Sequence, residues 1–312
     1  MKYRNLIIVS VAITSIVSCN TSIEESKEIA INSDTLEKKA VLPSKPISEA
    51  FKKYWYAGEA EITSYKLEQA RYGEVREGNA VLIYVTEPFV KSKQVKADRN
   101  YPDNIPVLKL NSTKKYLTGI YPYSIMNSSF YPVNDNQHAL KVSFSAQEWC
   151  GHTYTQLNNK DKFEIQSRSY FESEGDTNVS VDKAILENEL WNKIRINPTE
   201  LPVGDIKIIP SLEHVRLSHT ELKIYSAVAS LETKNGITTY TLNYPDLERT
   251  LTINFSENFP HIIENWTDSY KSGFGAKARV LTSTATKIKT LKTPYWSQNR
   301  NKHLPLRDSL GL

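Results

Sequence analysis

Glu148, Cys150 and His152 stand at alternate positions in the stretch QEWCGH, a carboxylate, a thiol and an imidazole two residues apart. On a β-strand side chains alternate faces, so these three would project together while Trp149 and Gly151 face away. A thiol so placed becomes a nucleophile when a nearby base lowers its pKa and a third group orients that base. Along an extended strand, however, Cys150 and His152 would lie roughly 6–7 Å apart, which makes direct activation awkward. The preferred reading is a small buried hydrophobe at Cys150, with Glu148 and His152 on a half-exposed face. A metal reading adds His138 from the preceding strand, since thiolate, imidazole and carboxylate are all ligands that zinc accepts. One thiol at alternate spacing is a weaker signal than a Cys-x-x-Cys pair.

Other constellations carry less. His214 and His219 are five residues apart, which on a strand points them to opposite faces. Glu172, Glu174 and Asp176 precede a turn and suit either a weak calcium loop or a solvated acidic loop. The chain has no Gly-rich phosphate loop, no Gly-x-Ser-x-Gly elbow and no His-Glu-x-x-His, so no cofactor is expected. A formal charge of +4 with both signs interleaved argues against a nucleic-acid partner. Tyr116, Tyr121, Tyr123, Phe130 and Tyr131 are threaded through one stretch punctuated by Pro122 and Pro132; such rings can line a groove for a lipid, glycan or peptide, or close the end of a barrel.

Where these residues work is written at the start of the chain. Residues 1–18 have a basic start, an apolar run from Leu6 to Val17 that is too short to span a bilayer, and a small-residue end, the layout of a secretory signal. The apolar-x-Ser-Cys ending resembles the bacterial lipobox, which implies that Cys19 is acylated and anchors the mature chain to a membrane. Asn20 is not the aspartate that would suggest retention at the inner membrane, so the outer membrane is expected. Residues 19–46 are rich in Ser, Glu and Lys, lack aromatics and read as a disordered tether reaching roughly 25–30 Å. Cys150 is then the one remaining cysteine, which excludes an intrachain disulfide.

The elements that must position any site are mostly strands. Ser48 can cap a short helix that ends by Gly58. Residues 47–178 then alternate apolar and polar between turn-rich clusters, as hairpins in series do. Residues 179–197 read as one helix, capped by Ser180, with Leu186, Leu190 and Ile194 recurring every four residues and Pro198 forbidding continuation. Residues 198–292 form a second strand block that includes Ile206 to Glu213, and Asn235-Gly236 fits a type I′ turn. Residues 293–312 form a tail along the surface. The expected fold is mainly β, a large antiparallel curled sheet or partly open barrel in two consecutive blocks separated by the helix.

The runs YWYAGEAEITSYKLEQARYGEVREGNAVLIYVTEPF, KLNSTKKYLTGIYPYSIMNSSFYPV and HALKVSFSAQEWCGHTYTQLN resemble a family of lipoproteins from Bacteroidota, particularly flavobacteria. Its members often carry the label "septum formation inhibitor Maf". True Maf nucleotide pyrophosphatases have a Ser-x-Ser-Pro-Arg-Arg signature and an α/β fold; this chain has no such signature and reads as β, so no catalytic residue is transferred. In the same phylum an Asp-Ser/Thr-aliphatic tripeptide resembles an envelope O-glycosylation site, which Thr35 (Asp34-Thr35-Leu36) and Ser309 (Asp308-Ser309-Leu310) fit. The functional expectation is a membrane-anchored envelope lipoprotein of non-catalytic type that binds a lipid, a glycan or an envelope protein. The alternatives are an envelope enzyme or metal site around Glu148, Cys150 and His152, and a structural subunit of an envelope assembly.

Overall fold

The computed structural model describes residues 46–134 and 137–312. The signal segment, Cys19, Thr35 and all of the tether but its last residue lie outside the described residues. The first element is helix α1 (Glu49–Trp55), where Ser48 accepts the Phe51 N–H at 3.1 Å as the sequence implies. The strands of the first half follow: β1 (Ala60–Arg71), β2 (Glu74–Val90), β3 (Val95–Lys96), β4 (Ile105–Thr118), β5 (Tyr121–Pro132), β6 (Lys141–Glu148), β7 (Gly151–Asn159), β8 (Phe163–Ser169) and β9 (Thr177–Val181). After β10 (Ile185–Leu186) come α2 (Glu187–Ile196), β11 (Gly204–Ile209), α3 (Leu212–Ser218), β12 (Tyr225–Lys234), β13 (Ile237–Tyr244), β14 (Arg249–Ser256), β15 (Ile263–Ser272) and β16 (Arg279–Thr293).

All sixteen strands belong to one sheet, ordered β10-β11-β12-β13-β14-β15-β16-β1-β2-β4-β5-β6-β7-β8-β9, with β3 on β2 beside that path. Pairing is antiparallel except for β10 with β11. The two expected blocks are therefore continuous, because β16 closes onto β1. The sheet is not closed, yet its edge strands β9 and β10 are joined by residues 182–184 alone. So short a link spans at most about 14 Å, which forces the two edges of the sheet to curl toward each other. Hairpin geometry fixes the register: Asn235 and Gly236 both take positive φ, 54° and 78°, as a type I′ turn requires. At Gly78 a Cβ would fall 2.2 Å from the Lys115 carbonyl, so β2 and β4 approach there as only glycine allows.

The concave face holds the main core and α2 fills it. Leu190 and Ile194 are fully buried, as the four-residue spacing implies, but Glu187, Glu189, Asn192, Lys193 and Arg195 are buried as well. The helix begins at Glu187, well after the expected Ser180 cap. Ser180 lies in β9 instead, because residues 177–181 pair with β8. Glu189 takes over the capping task by accepting the Leu186 N–H at 3.3 Å. A second correction concerns the strand expected over Ile206 to Glu213: it ends at Ile209, and Leu212–Ser218 form α3, capped by Ser211, which accepts the His214 N–H at 3.2 Å. The C-terminal segment runs along the convex face, as expected of a surface tail, and buries Leu310 against Ile62, Val81 and Val85. The Ser64 hydroxyl bonds to the Leu310 carbonyl beneath it.

Candidate functional site

β6 ends at Glu148 and β7 begins at Gly151, so Trp149 and Cys150 form the tip of a hairpin. The shared strand face expected for Glu148, Cys150 and His152 does not exist: Glu148 pairs with Gly151, and Gln147 with His152, across the turn. The Glu148 carboxylate folds back to accept the Cys150 N–H at 2.7 Å. Its hydrogen bond and its charge push the thiol pKa up, the reverse of nucleophile activation. Cys150 and His152 are both exposed, which overturns the buried-hydrophobe reading too. A thiol at a turn has no core to enter.

His138 is not brought near them. It precedes β6 at the strand's far end, roughly 25 Å of strand away. There its Nδ1 lies 3.0 Å from Glu189 Oε1, and the other Glu189 oxygen accepts the Ala139 N–H at 2.7 Å. His138 thus ties the β5–β6 connection to α2. No group of three His, Cys, Asp or Glu among the described residues is placed to hold a metal ion. The acidic loop also turns inward: Glu174 lies 3.0 Å from Arg216 and 3.1 Å from His219, and Asp176 accepts the Ser169 N–H at 3.2 Å. Glu172 is exposed.

The five aromatic residues divide. Tyr116 and Tyr123 stack at 5.1 Å within the core, where the Tyr123 hydroxyl meets Tyr72 at 2.7 Å and accepts from Arg71 at 3.2 Å. Tyr131 is buried at the opposite end of β5. Phe130 has the other strand parity and packs on Phe89 at 5.6 Å in a separate cluster. Tyr121 is half-buried and lies 6.4 Å from Trp149. They line no common groove. Ser309 is exposed, while Leu310 beside it is buried.

The chemistry that the structure does concentrate surrounds α2. Arg195, with both terminal nitrogens 2.6 Å from the Glu61 carboxylate, lies between the Trp55 and Tyr84 rings and donates from Nε to the Pro260 carbonyl. Tyr54 donates to Glu61 at 2.6 Å. Burial by itself would raise the Glu61 pKa, but the charge and hydrogen bonds of Arg195 outweigh it and hold the carboxyl below its usual range. At the other end of the helix Glu187 accepts from Arg249 at 2.6 and 2.8 Å and from Tyr244 at 2.7 Å, while Asp268 takes the Arg249 Nε at 2.7 Å. Burial is again outweighed, and Glu187 falls to about 2. Glu213 accepts from Lys114 at 2.6 Å and Asn127 at 2.8 Å.

Glu187, Arg249, Asp268, Glu213, Lys114 and Asn127 line a cavity of about 60 Å³ that also reaches His214, Trp266 and Tyr270. Gln69 Oε1, Asn127 Oδ1 and Ser129 Oγ line it without a hydrogen-bond partner among the described residues. Such a volume suits a few waters and is well below the roughly 300 Å³ at which ligand pockets begin. His214 is pushed down to about 3 by burial and by the Arg249 charge, so it stays neutral and is a poor base. Larger hollows lie elsewhere: about 370 Å³ beside Phe51, Tyr131, Phe259 and the C-terminal turn of α2, and about 330 Å³ under the C-terminal segment beside Ile83 and Leu306.

No protein-family model matches this chain, and no curated protein does. Among solved structures, a porin-like protein from Bacteroides uniformis aligns with 79% of this chain and 98% of its own at 10% identity, with a TM-score of 0.21. A likeness at that level carries no argument about fold or function.

Proposed function

We propose that this chain is an exported, lipid-anchored envelope protein, placed at the outer membrane, that acts by binding a lipid, a glycan or another envelope protein and not by catalysis. The observation that carries the non-catalytic part is the pairing of the buried charges: Glu61 with Arg195, Glu187 and Asp268 with Arg249, and Glu213 with Lys114. Groups so matched hold a helix in place and have no proton or charge to offer a substrate. The anchoring part rests on the apolar-x-Ser-Cys ending at Cys19 and on the resemblance to Bacteroidota lipoproteins. The cavity at Glu187 and Arg249, about 60 Å³, is too small for an acyl chain, whereas the hollow of about 370 Å³ beside Phe51, Tyr131 and Phe259 has the size of a ligand pocket.

The test is metabolic labelling with an alkynyl fatty acid in a bacterial host, with native mass spectrometry of the extracted protein. The chain should take up label, Cys19→Ala should abolish it, and a mass excess should identify a lipid or glycan. An unlabelled wild-type chain, or a Cys19→Ala chain labelled as strongly as wild type, refutes the anchor.

A further inference from the structure

Five neighbouring hairpins turn at one end of the sheet, and each carries a large apolar side chain at its tip. Phe274 stands between β15 and β16, Tyr72 between β1 and β2, Ile120 between β4 and β5, Trp149 between β6 and β7, and Tyr170 directly after β8. Their exposures are 61%, 36%, 83%, 69% and 77%; Tyr72 alone turns its hydroxyl to a core residue, Tyr123. At the opposite end three hairpin turns are polar, Lys160-Asp161-Lys162 after β7, Asn235-Gly236 after β12 and Glu257-Asn258 after β14, while the exposed apolar residues there, Val95, Tyr101 and Val203 among them, stand in the longer connections and not on hairpin tips. Turn chemistry calls for Gly, Asn, Asp, Ser or Pro at a tip. Five apolar tips on one end form an exposed patch that marks a docking surface.

Charge says what docks. Lys115, Lys271, Lys277 and Arg279 flank Ile120, Tyr72 and Phe274; all four are exposed and have no ion-pair partner among the described residues. Acidic residues stand at this end too: Glu148 beside Trp149 is folded onto the Cys150 N–H, Glu74 after the Tyr72 turn is paired with Arg76, Glu174 and Asp176 beside Tyr170 have their own basic partners, and Asp246 and Glu248 follow β13. Amphipathic rings and aliphatic tips next to unpaired cations are the pattern that settles at a bilayer interface carrying negative headgroups. We propose that this end of the sheet docks on an anionic lipid bilayer, with Phe274, Tyr72, Ile120, Trp149 and Tyr170 immersed at headgroup level. The proposal does not depend on acylation of Cys19.

Cys150 sits at one of these tips and supplies the probe. The full chain carries a polarity-sensitive fluorophore on Cys150, verified by peptide mass, and is mixed with vesicles of phosphatidylcholine containing a minor share of phosphatidylglycerol. Emission should shift to the blue and be quenched by a nitroxide lipid. Ile120→Ser and Phe274→Ser, both at exposed positions, should each weaken this binding about tenfold while leaving the circular dichroism spectrum unchanged. A probe at the opposite end, in the variant Cys150→Ser, Lys234→Cys, should stay in water. The proposal is overturned if the Cys150 probe keeps its aqueous emission, or if both ends respond alike. Vesicle flotation separates this from the anchor: a chain that floats with an aqueous probe refutes the docking end alone, and a probe response in the Cys19→Ala chain, where Cys150 is the single thiol, supports it without the anchor.

Discussion

Glu61→Gln should destabilise the protein by about 3 kcal/mol, far more than its near-isosteric shape suggests. Glu61 is fully buried and accepts both terminal nitrogens of Arg195 at 2.6 Å. Glutamine keeps the volume and one acceptor but leaves the guanidinium as an uncompensated charge. Breaking a buried pair from one side costs about 3–5 kcal/mol. The Trp55 and Tyr84 faces, 5.0 and 4.7 Å away, retain part of the stabilisation, about 1–2 kcal/mol, which sets the figure at the low end. With a urea slope of about 3 kcal/mol per molar, the midpoint should fall by about 1 M. Glu61→Leu with Arg195→Met removes both charges and should recover most of the loss, since apolar replacement of a whole buried pair is often neutral. A single variant within about 1 kcal/mol of wild type, or a double variant no better than the single, would falsify the claim that this pair holds α2 in the interior.

Stability should decline as pH falls, in two stages. His214 has a folded pKa of about 3 against 6.5 unfolded, so the unfolded chain binds the proton first and about 2 kcal/mol is lost between pH 6.5 and about 5. Below pH 4.5 Glu187 adds to the loss, because its stabilising charge disappears as pH falls toward about 2. His219 and His261, also shifted down chiefly by burial, add smaller losses of the same sign as His214. Urea midpoints against pH check this, and His214→Gln should flatten the upper stage; an unchanged slope there refutes the assignment. Cys150 should be accessible to iodoacetamide but react more slowly than free cysteine at neutral pH, and Glu148→Gln should speed it a few-fold by removing the carboxylate that raises the thiol pKa. Leu310→Ala should cost about 2 kcal/mol, read by urea midpoint, if the C-terminal segment is a packed part of the fold; a cost near zero would mean that the segment merely lies on the surface.

The strands were legible because period-two alternation and turn residues are local signals, and Ser48 and Asn235-Gly236 work as their types imply. Boundaries failed where tertiary pairing overrode local pattern. Ser180 is an acceptable cap, yet β8 offers residues 177–181 a ladder of backbone hydrogen bonds and the helix starts later. Glu148 to Leu157 alternates well as a single strand, but a turn at Trp149-Cys150 lets β6 and β7 pair along their whole length. The interior site left a trace that went unread. Glu61 shares strand parity with Tyr65 and Leu67, Arg249 with Leu251 and Ile253, Asp268 with Trp266 and Tyr270, and all face the core. A charge in phase with apolar neighbours signals a buried ion pair, but its partner on α2 could not be named before the helix was known to lie inside the sheet.

That placement follows from the size of the sheet. A path of fifteen strands whose edges are drawn together by residues 182–184 encloses more space than inward side chains alone can fill. A helix about 10 Å across fills it, but an entire helix brings a polar face and unpaired terminal groups into a place without bulk water. Each must then find a partner on the sheet: Asn192 donates to the Leu108 carbonyl at 2.7 Å, Tyr84 to the Trp191 carbonyl at 3.1 Å, and the two arginine pairs clamp the helix at either end. Because those partners neutralise one another, the space around Glu187, Arg249 and Glu213 keeps little room and little unpaired charge.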